Sequence, residues 1–134
     1  MDSALRDAVF RWMRKACEDL RIAKLLAAVP EPPLDAVCFH AQQAAEKAFK
    51  TFLVSVDAHV ERTHSLPRLV ELCRQNEPTF ERFEETAPEL TIYAVSGRYP
   101  DDGTSATVEE AKAAILYAES AIQFVENILS ERKV

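Results

Sequence analysis

Asp35-Ala36-Val37-Cys38-Phe39-His40-Ala41-Gln42-Gln43-Ala44-Ala45-Glu46-Lys47-Ala48-Phe49-Lys50-Thr51-Phe52-Leu53-Val54-Ser55-Val56 is the stretch around which the chain is organised. Val37, Ala41, Ala44, Ala48 and Phe52, with Ala45, Phe49, Leu53 and Val56 beside them, recur at three- and four-residue spacing, which predicts one long helix buried along one side. Four alanines within eight residues, Ala41, Ala44, Ala45 and Ala48, allow neighbouring helices to approach closely. The polar residues are ordered too. His40, Gln43 and Lys47 fall at i, i+3 and i+7 and stack along one line. Glu46 and Lys50 form an i, i+4 pair of favourable orientation next to it. Such a stripe suits a binding face and equally suits a solvated one.

Outward from this helix, the rest of the chain reads as helices separated by breakers. Ser3 is placed as the N-cap of a first helix running to about Ala28, with Leu5, Val9, Met13, Ala16, Leu20, Ala23 and Ala27 inward and Trp12 sealing the edge of that seam. Pro30, Pro32 and Pro33 stop it, and Asp35 is expected to cap the organising helix. Ser65 caps a third helix, Leu66 to Gln75, with Pro67 tolerated in its first turn and Leu66, Leu69, Val70 and Cys73 facing inward. Thr79 caps a short piece through Phe80 and Phe83. A further helix carries Leu90 to Val95 and ends at Gly97-Arg98-Tyr99-Pro100. After the loop Asp101 to Ala106, Thr107 and Glu110 make a capping box for the last helix. Its seam of Val108, Ala111, Ile115, Ala118, Ile122, Val125 and Leu129 fits bundle packing, a dimer interface, or both.

The 134 residues, 48% hydrophobic and 28% charged with only two glycines, describe one globular domain of residues 1–134 and favour helices over sheets. The fold class expected is all-α, an antiparallel up-and-down bundle of about five helices. A net charge of -6 excludes a broad non-specific nucleic-acid surface but leaves room for a small basic site. The three cysteines, Cys17, Cys38 and Cys73, lack zinc-ligand spacing, and Cys17 and Cys38 read as buried, inert thiols. No metal and no cofactor are expected. No signal peptide or membrane-length apolar run is seen, so the cytoplasm is the default compartment.

Three blocks in order carry a family resemblance. Phe39 through Lys50 resembles the second-helix signature of HEPN domains. Thr63-His64-Ser65-Leu66-Pro67-Arg68-Leu69 resembles the segment that leads into that family's third helix. Tyr93 through Arg98-Tyr99-Pro100-Asp101 is similar to its "Y...RYPD" segment, and Trp12, Ala16, Asp19-Leu20 and Ala23 agree as well. The resemblance implies a five-helix bundle, often a homodimer, often encoded beside a minimal nucleotidyltransferase, as in a toxin–antitoxin or stress-defence pair. Many HEPN proteins are metal-independent ribonucleases with an Arg-x4–6-His motif. Arg98 matches the arginine by position, but Tyr99 to Thr104 contain no histidine, and His40, His59 and His64 all precede it.

What remains resembles the branch that binds nucleotide or nucleic acid. Arg98, Tyr99, His64, Lys47, Gln43 and His40 are the candidate binding residues. Lys47 and Arg98 would offset phosphate charge, His64 and Gln43 would orient it, and Tyr99 would cover a base. For each there is a structural role instead: helix capping or pairing with Asp101 or Asp102 for Arg98, packing for Tyr99, a loop hydrogen bond for His64, and interhelical bonds for the stripe. The enzymatic alternative is a ribonuclease using His64 or His40 with Arg98. A pure protein-interaction module is the third reading.

Overall fold

The computed structural model describes residues 2–85 and 105–133. Among the described residues lie four α-helices and no strand: α1 (Ser3–Ala27), α2 (Leu34–Ser55), α3 (Leu66–Asn76) and α4 (Val108–Glu131), with a 3-10 segment, Pro78–Phe83, after α3. The architecture is the all-helical bundle expected from the periodicity. The segment from Leu90 to Val95 and the residues Arg98, Tyr99, Asp101 and Asp102 lie outside the described residues.

α2 is the central helix, packed on α1 and α4 with α3 at its side. Val37, Ala41, Ala44, Ala45, Ala48, Phe49 and Phe52 are all fully buried. The alanines supply the close approach: with only a methyl group at each of these positions, α1 and α4 both lie tight against α2. α1 and α2 run antiparallel, because Asp19 of α1 meets His40 and Lys47 while Trp12, further back on α1, meets Lys50. Beyond α2, the 3-10 segment and α4 contribute an aromatic cluster. Phe49 meets Phe83 edge-on at 5.5 Å and Tyr117 at 6.3 Å, and Phe80 lies 4.7 Å from Phe52 and 4.9 Å from Phe124. The Tyr117 hydroxyl, buried among these rings, donates to the Phe83 carbonyl at 3.0 Å, so its polar end is satisfied.

Several helix ends differ from the sequence reading, each for a local reason. Asp2, not Ser3, caps α1, its carboxylate accepting from the Leu5 amide at 2.8 Å. α2 begins at Leu34 after Pro33, which has no amide hydrogen to satisfy. Asp35 is therefore inside the first turn, and it accepts from the Ala106 amide at 2.6 Å, tying the start of α2 to the approach to α4. Glu77 rather than Thr79 precedes the 3-10 segment, and the Thr79 hydroxyl donates to the Glu77 carboxylate. Ala27 and Val108, expected inward, are exposed because each lies at a helix end beyond the reach of its neighbours. Cys17 is exposed, whereas Cys38 and Cys73 are buried. Its position in α1 is one residue past the buried Ala16, on the outer flank.

The expected capping box forms: the Thr107 hydroxyl accepts from the Glu110 amide at 3.0 Å, and the Glu110 carboxylate accepts from the Thr107 amide at 2.9 Å. Thr107→Ala removes one of these bonds and is expected to cost about 1 kcal/mol. A melting curve would show this as a drop of about 4 °C.

Candidate functional site

Two carboxylates organise the polar face of α2, one reaching it from α1 and one belonging to it. Asp19, only 8% exposed, accepts from the Lys47 ammonium through Oδ2, and its Oδ1 lies 3.1 Å from His40 Nδ1. Glu46, 3% exposed, accepts from Lys50 at 3.1 Å through Oε2, and its Oε1 lies 3.0 Å from His64 Nδ1. Each carboxylate thus holds one lysine and one histidine. A buried carboxylate is tolerable only with such partners, since an unpaired one would carry a large desolvation penalty.

Gln42 and Gln43 extend the second group. The fully buried Gln42 Nε2 donates to the His64 carbonyl at 3.2 Å and to Glu46 at 3.4 Å, while its Oε1 accepts from Gln43 at 2.8 Å. Lys50, itself 7% exposed, directs its ammonium toward the Trp12 ring at 5.9 Å. The stripe read from the sequence is therefore paired rather than bare: His40, Gln43 and Lys47 are half-buried at the edge of a polar layer whose buried members are Asp19, Gln42, Glu46 and Lys50.

That loop is fastened in several places. Arg68 of α3 grips Glu61 with two bonds of 3.2 and 2.7 Å, and this contact holds the Glu61 carboxyl below the usual carboxylate range. Thr63 Oγ1 accepts from the Ser65 amide at 3.0 Å, and Ser65 caps α3 through the Arg68 amide at 3.3 Å. His64 sits between these anchors, so its ring is aimed rather than free. A carboxylate oxygen accepts, so Nδ1 is the donor in both the His40 and the His64 contact. The His64 side chain is 57% exposed and that of His40 27%.

Of the residues singled out from the sequence, His40 and Lys47 are brought together on Asp19, and Gln43 and His64 are linked through Gln42 and Glu46. His59 is exposed in the loop after α2. Arg98 and Tyr99 lie outside the described residues. Sequence reasoning did not single out Asp19 or Glu46 as the organising groups. The signal for Asp19 was present: an acid at an inward position of α1, between Ala16 and Ala23. Among the described residues, no group of three or more His, Cys, Asp or Glu is placed to hold a metal ion.

Elsewhere the titratable groups are structural. Burial pushes the Cys73 thiol well above its ordinary value of 9.0, and burial, then the nearby Cys73, raises the Tyr117 hydroxyl above 10.0. Both folded values exceed the unfolded ones, so the folded state holds protons that the unfolded chain releases. Stability from these two groups is complete below about pH 9 and is expected to fall as the pH rises beyond it. Melting temperatures recorded from about pH 8 to 11 would show the decline, and a flat profile would contradict the burial of these groups. The exposed Cys17 is expected to be the one thiol that reacts with a disulfide reagent in the native protein, with Cys38 and Cys73 following only on unfolding. Partial burial, and Glu126 second, raise the Cys17 thiol, which slows that reaction at neutral pH.

The fold is thus a helical bundle in which two buried carboxylates, Asp19 and Glu46, each pair with one lysine of the central helix and one histidine. The family model for the HEPN domain matches residues 9–128, and the chain belongs to the HEPN domain family. HEPN domains are in general related to nucleotides and nucleic acids. Among solved structures, the crystal structure of TT1696 from Thermus thermophilus is similar, with a TM-score of 0.77 and 29% identity over 89% of this chain and 96% of that chain. None of the curated proteins matches the chain. No helix among the described residues is long and apolar enough to cross a membrane.

Proposed function

We propose that this HEPN domain binds a nucleotide or a nucleic acid at the polar face of α2, as a homodimer, beside a minimal nucleotidyltransferase partner in a toxin–antitoxin or stress-defence pair. The observation that carries the binding reading is the placement of Lys47: held by Asp19, beside His40, it retains N–H donors for a phosphate. Arg98 would add a guanidinium to the same phosphate and Tyr99 would cover the base. The nucleotidyltransferase, the paired-gene role and the dimer rest on the family alone.

The test is a thermal-shift screen against nucleoside mono-, di- and triphosphates at millimolar concentration. A ligand at about one hundred times its dissociation constant stabilises the native state by about 2.7 kcal/mol. The shift is expected with the parent protein and lost in Arg98→Ala and in Lys47→Ala. No shift with any nucleotide or RNA would overturn the reading. Sedimentation should give twice the 15.1 kDa of one chain, and co-expression with the neighbouring nucleotidyltransferase should yield a complex.

One observation favours a second reading. His64, oriented by Glu46 and exposed at its outer edge, has the arrangement of a general acid/base. With Arg98 on the phosphate it would make a metal-independent ribonuclease with a non-standard histidine. Cleavage of single-stranded RNA in EDTA, lost in both His64→Ala and Arg98→Ala, would select this reading over binding without turnover.

A further inference from the structure

We infer that the flank of α1 beside Lys47 is a stacking subsite for single-stranded nucleic acid, in which Trp12 receives a base and Arg11, Lys15 and Lys47 receive the flanking phosphates. This rests on the nucleic-acid reading above, names its substrate class, and extends its site from Lys47 onto α1, which that reading does not use.

The geometry begins with an open depression of about 520 Å3 lined by Arg11, Trp12, Lys15 and Lys47. Three cations around one indole is the combination that binds single strands: stacking on the ring and charge on the backbone. Trp12 is half-buried, and the Lys50 ammonium lies against its ring from the α2 side. Trp12 thus has Lys50 on one side and is itself part of the wall of the depression. Trp12 is also the sole tryptophan of the chain.

The cations are available. Arg11 pairs with no carboxylate among the described residues. Lys15 meets only Glu18, at 3.7 Å with both side chains well exposed, a pair of little strength. Lys47 donates to Asp19 and has further N–H donors.

The charge of the whole molecule points the same way. Although the chain carries -6, α1 bears six cations, Arg6, Arg11, Arg14, Lys15, Arg21 and Lys24, against the acids Asp7, Glu18 and Asp19. In α4 the acids Glu109, Glu110, Glu119, Glu126 and Glu131 face a single cation, Lys112. A polyanion is therefore repelled by α4 and drawn to α1. A free mononucleotide would use one phosphate cluster and be poorly enclosed in so open a site. A strand continuing past Trp12 in both directions engages all three cations, so the single strand is the better fit.

The experiment uses the full chain and its own fluorophore. Trp12 emission is followed on titration with an oligothymidylate and an oligouridylate of about ten nucleotides, alongside fluorescence polarisation of labelled oligomers and thermal shift with mononucleotides. Saturable quenching is expected, with the logarithm of affinity falling against the logarithm of salt at a slope of about -2 for three phosphate contacts. Trp12→Ala should weaken binding about tenfold or more. Trp12→Phe should retain it. Arg11→Ala and Lys15→Ala, both at exposed positions, should each flatten the salt slope by about 0.7.

Oligomer binding by polarisation with unchanged Trp12 emission, and with unchanged affinity in Arg11→Ala and Lys15→Ala, would overturn the subsite while the nucleic-acid reading stands. Mononucleotide stabilisation without oligomer binding would overturn the substrate class alone. No binding of either would overturn both.

Discussion

Glu46→Ala is expected to lower the stability of the protein by about 3–5 kcal/mol, the cost of leaving a buried charge without its partner. Lys50 is 7% exposed and its ammonium has Glu46 as its only carboxylate among the described residues. Without that carboxylate, Lys50 would have to shed its proton or draw water inward. Gln42 and His64 would lose an acceptor in the same step. Melting is expected to fall by about 10 °C or more.

Removing both charges together separates the causes. Glu46→Leu with Lys50→Met leaves no orphaned ion, so it should recover much of the loss even though two favourable contacts are gone. His64 would still lack its orienting carboxylate in that double variant. If stability returned and RNA cleavage or nucleotide binding did not, Glu46 would be assigned a role in positioning His64 as well as in the fold. A loss below about 1 kcal/mol for Glu46→Ala would show that Lys50 reaches solvent without it.

Phe49→Ala is expected to cost a similar amount, about 3–5 kcal/mol, by a different route. The ring is fully buried and meets Phe80, Phe83 and Tyr117 edge-on, so both the 3-10 segment and α4 rest on it. Truncation leaves a cavity that the 3-10 segment can only partly close. Urea unfolding would measure the loss, and Phe49→Leu, which keeps much of the volume, should cost clearly less. Because the Phe49 ring faces away from Lys47 and His64, ligand-induced stabilisation measured relative to the variant's own melting temperature should be preserved. Its disappearance would tie the aromatic cluster to the binding face.

These two residues lie three positions apart on α2, and they show how much of the protein is legible in its sequence. The alternation of Val37, Ala41, Ala44, Ala48 and Phe52 reveals a helix with one buried side, because the pitch of a helix converts spacing directly into direction. The same rule places Glu46 next to Lys50, and the capping box places Thr107 next to Glu110. All three are local: the partners are close in sequence, and the helix alone brings them together. The resemblance of Phe39 through Lys50, Thr63 to Leu69 and Tyr93 to Asp101 to HEPN domains added the family, which the match over residues 9–128 establishes.

The candidate site was legible only as a set of residue types. His40, Gln43 and Lys47 stood out as a line on α2, yet a line on a helix does not say what lies opposite it. Asp19 reaches His40 and Lys47 from α1, and His64 reaches Glu46 from a loop 18 residues later. Arg11, Trp12 and Lys15 acquire meaning only when α1 sets them beside Lys47. The Asp35 bond to Ala106 follows likewise from where the α4 approach comes to rest.

Helix positions, buried faces, the Ser65 cap, the Thr107–Glu110 capping box and the family were therefore determined by the sequence itself. The pairing of each carboxylate with one lysine and one histidine, and the cationic surround of Trp12, were decided by tertiary structure. The reason is physical: short-range contacts depend on backbone pitch, which nearby residues set, whereas contacts between helices depend on how buried side chains mesh across the whole bundle.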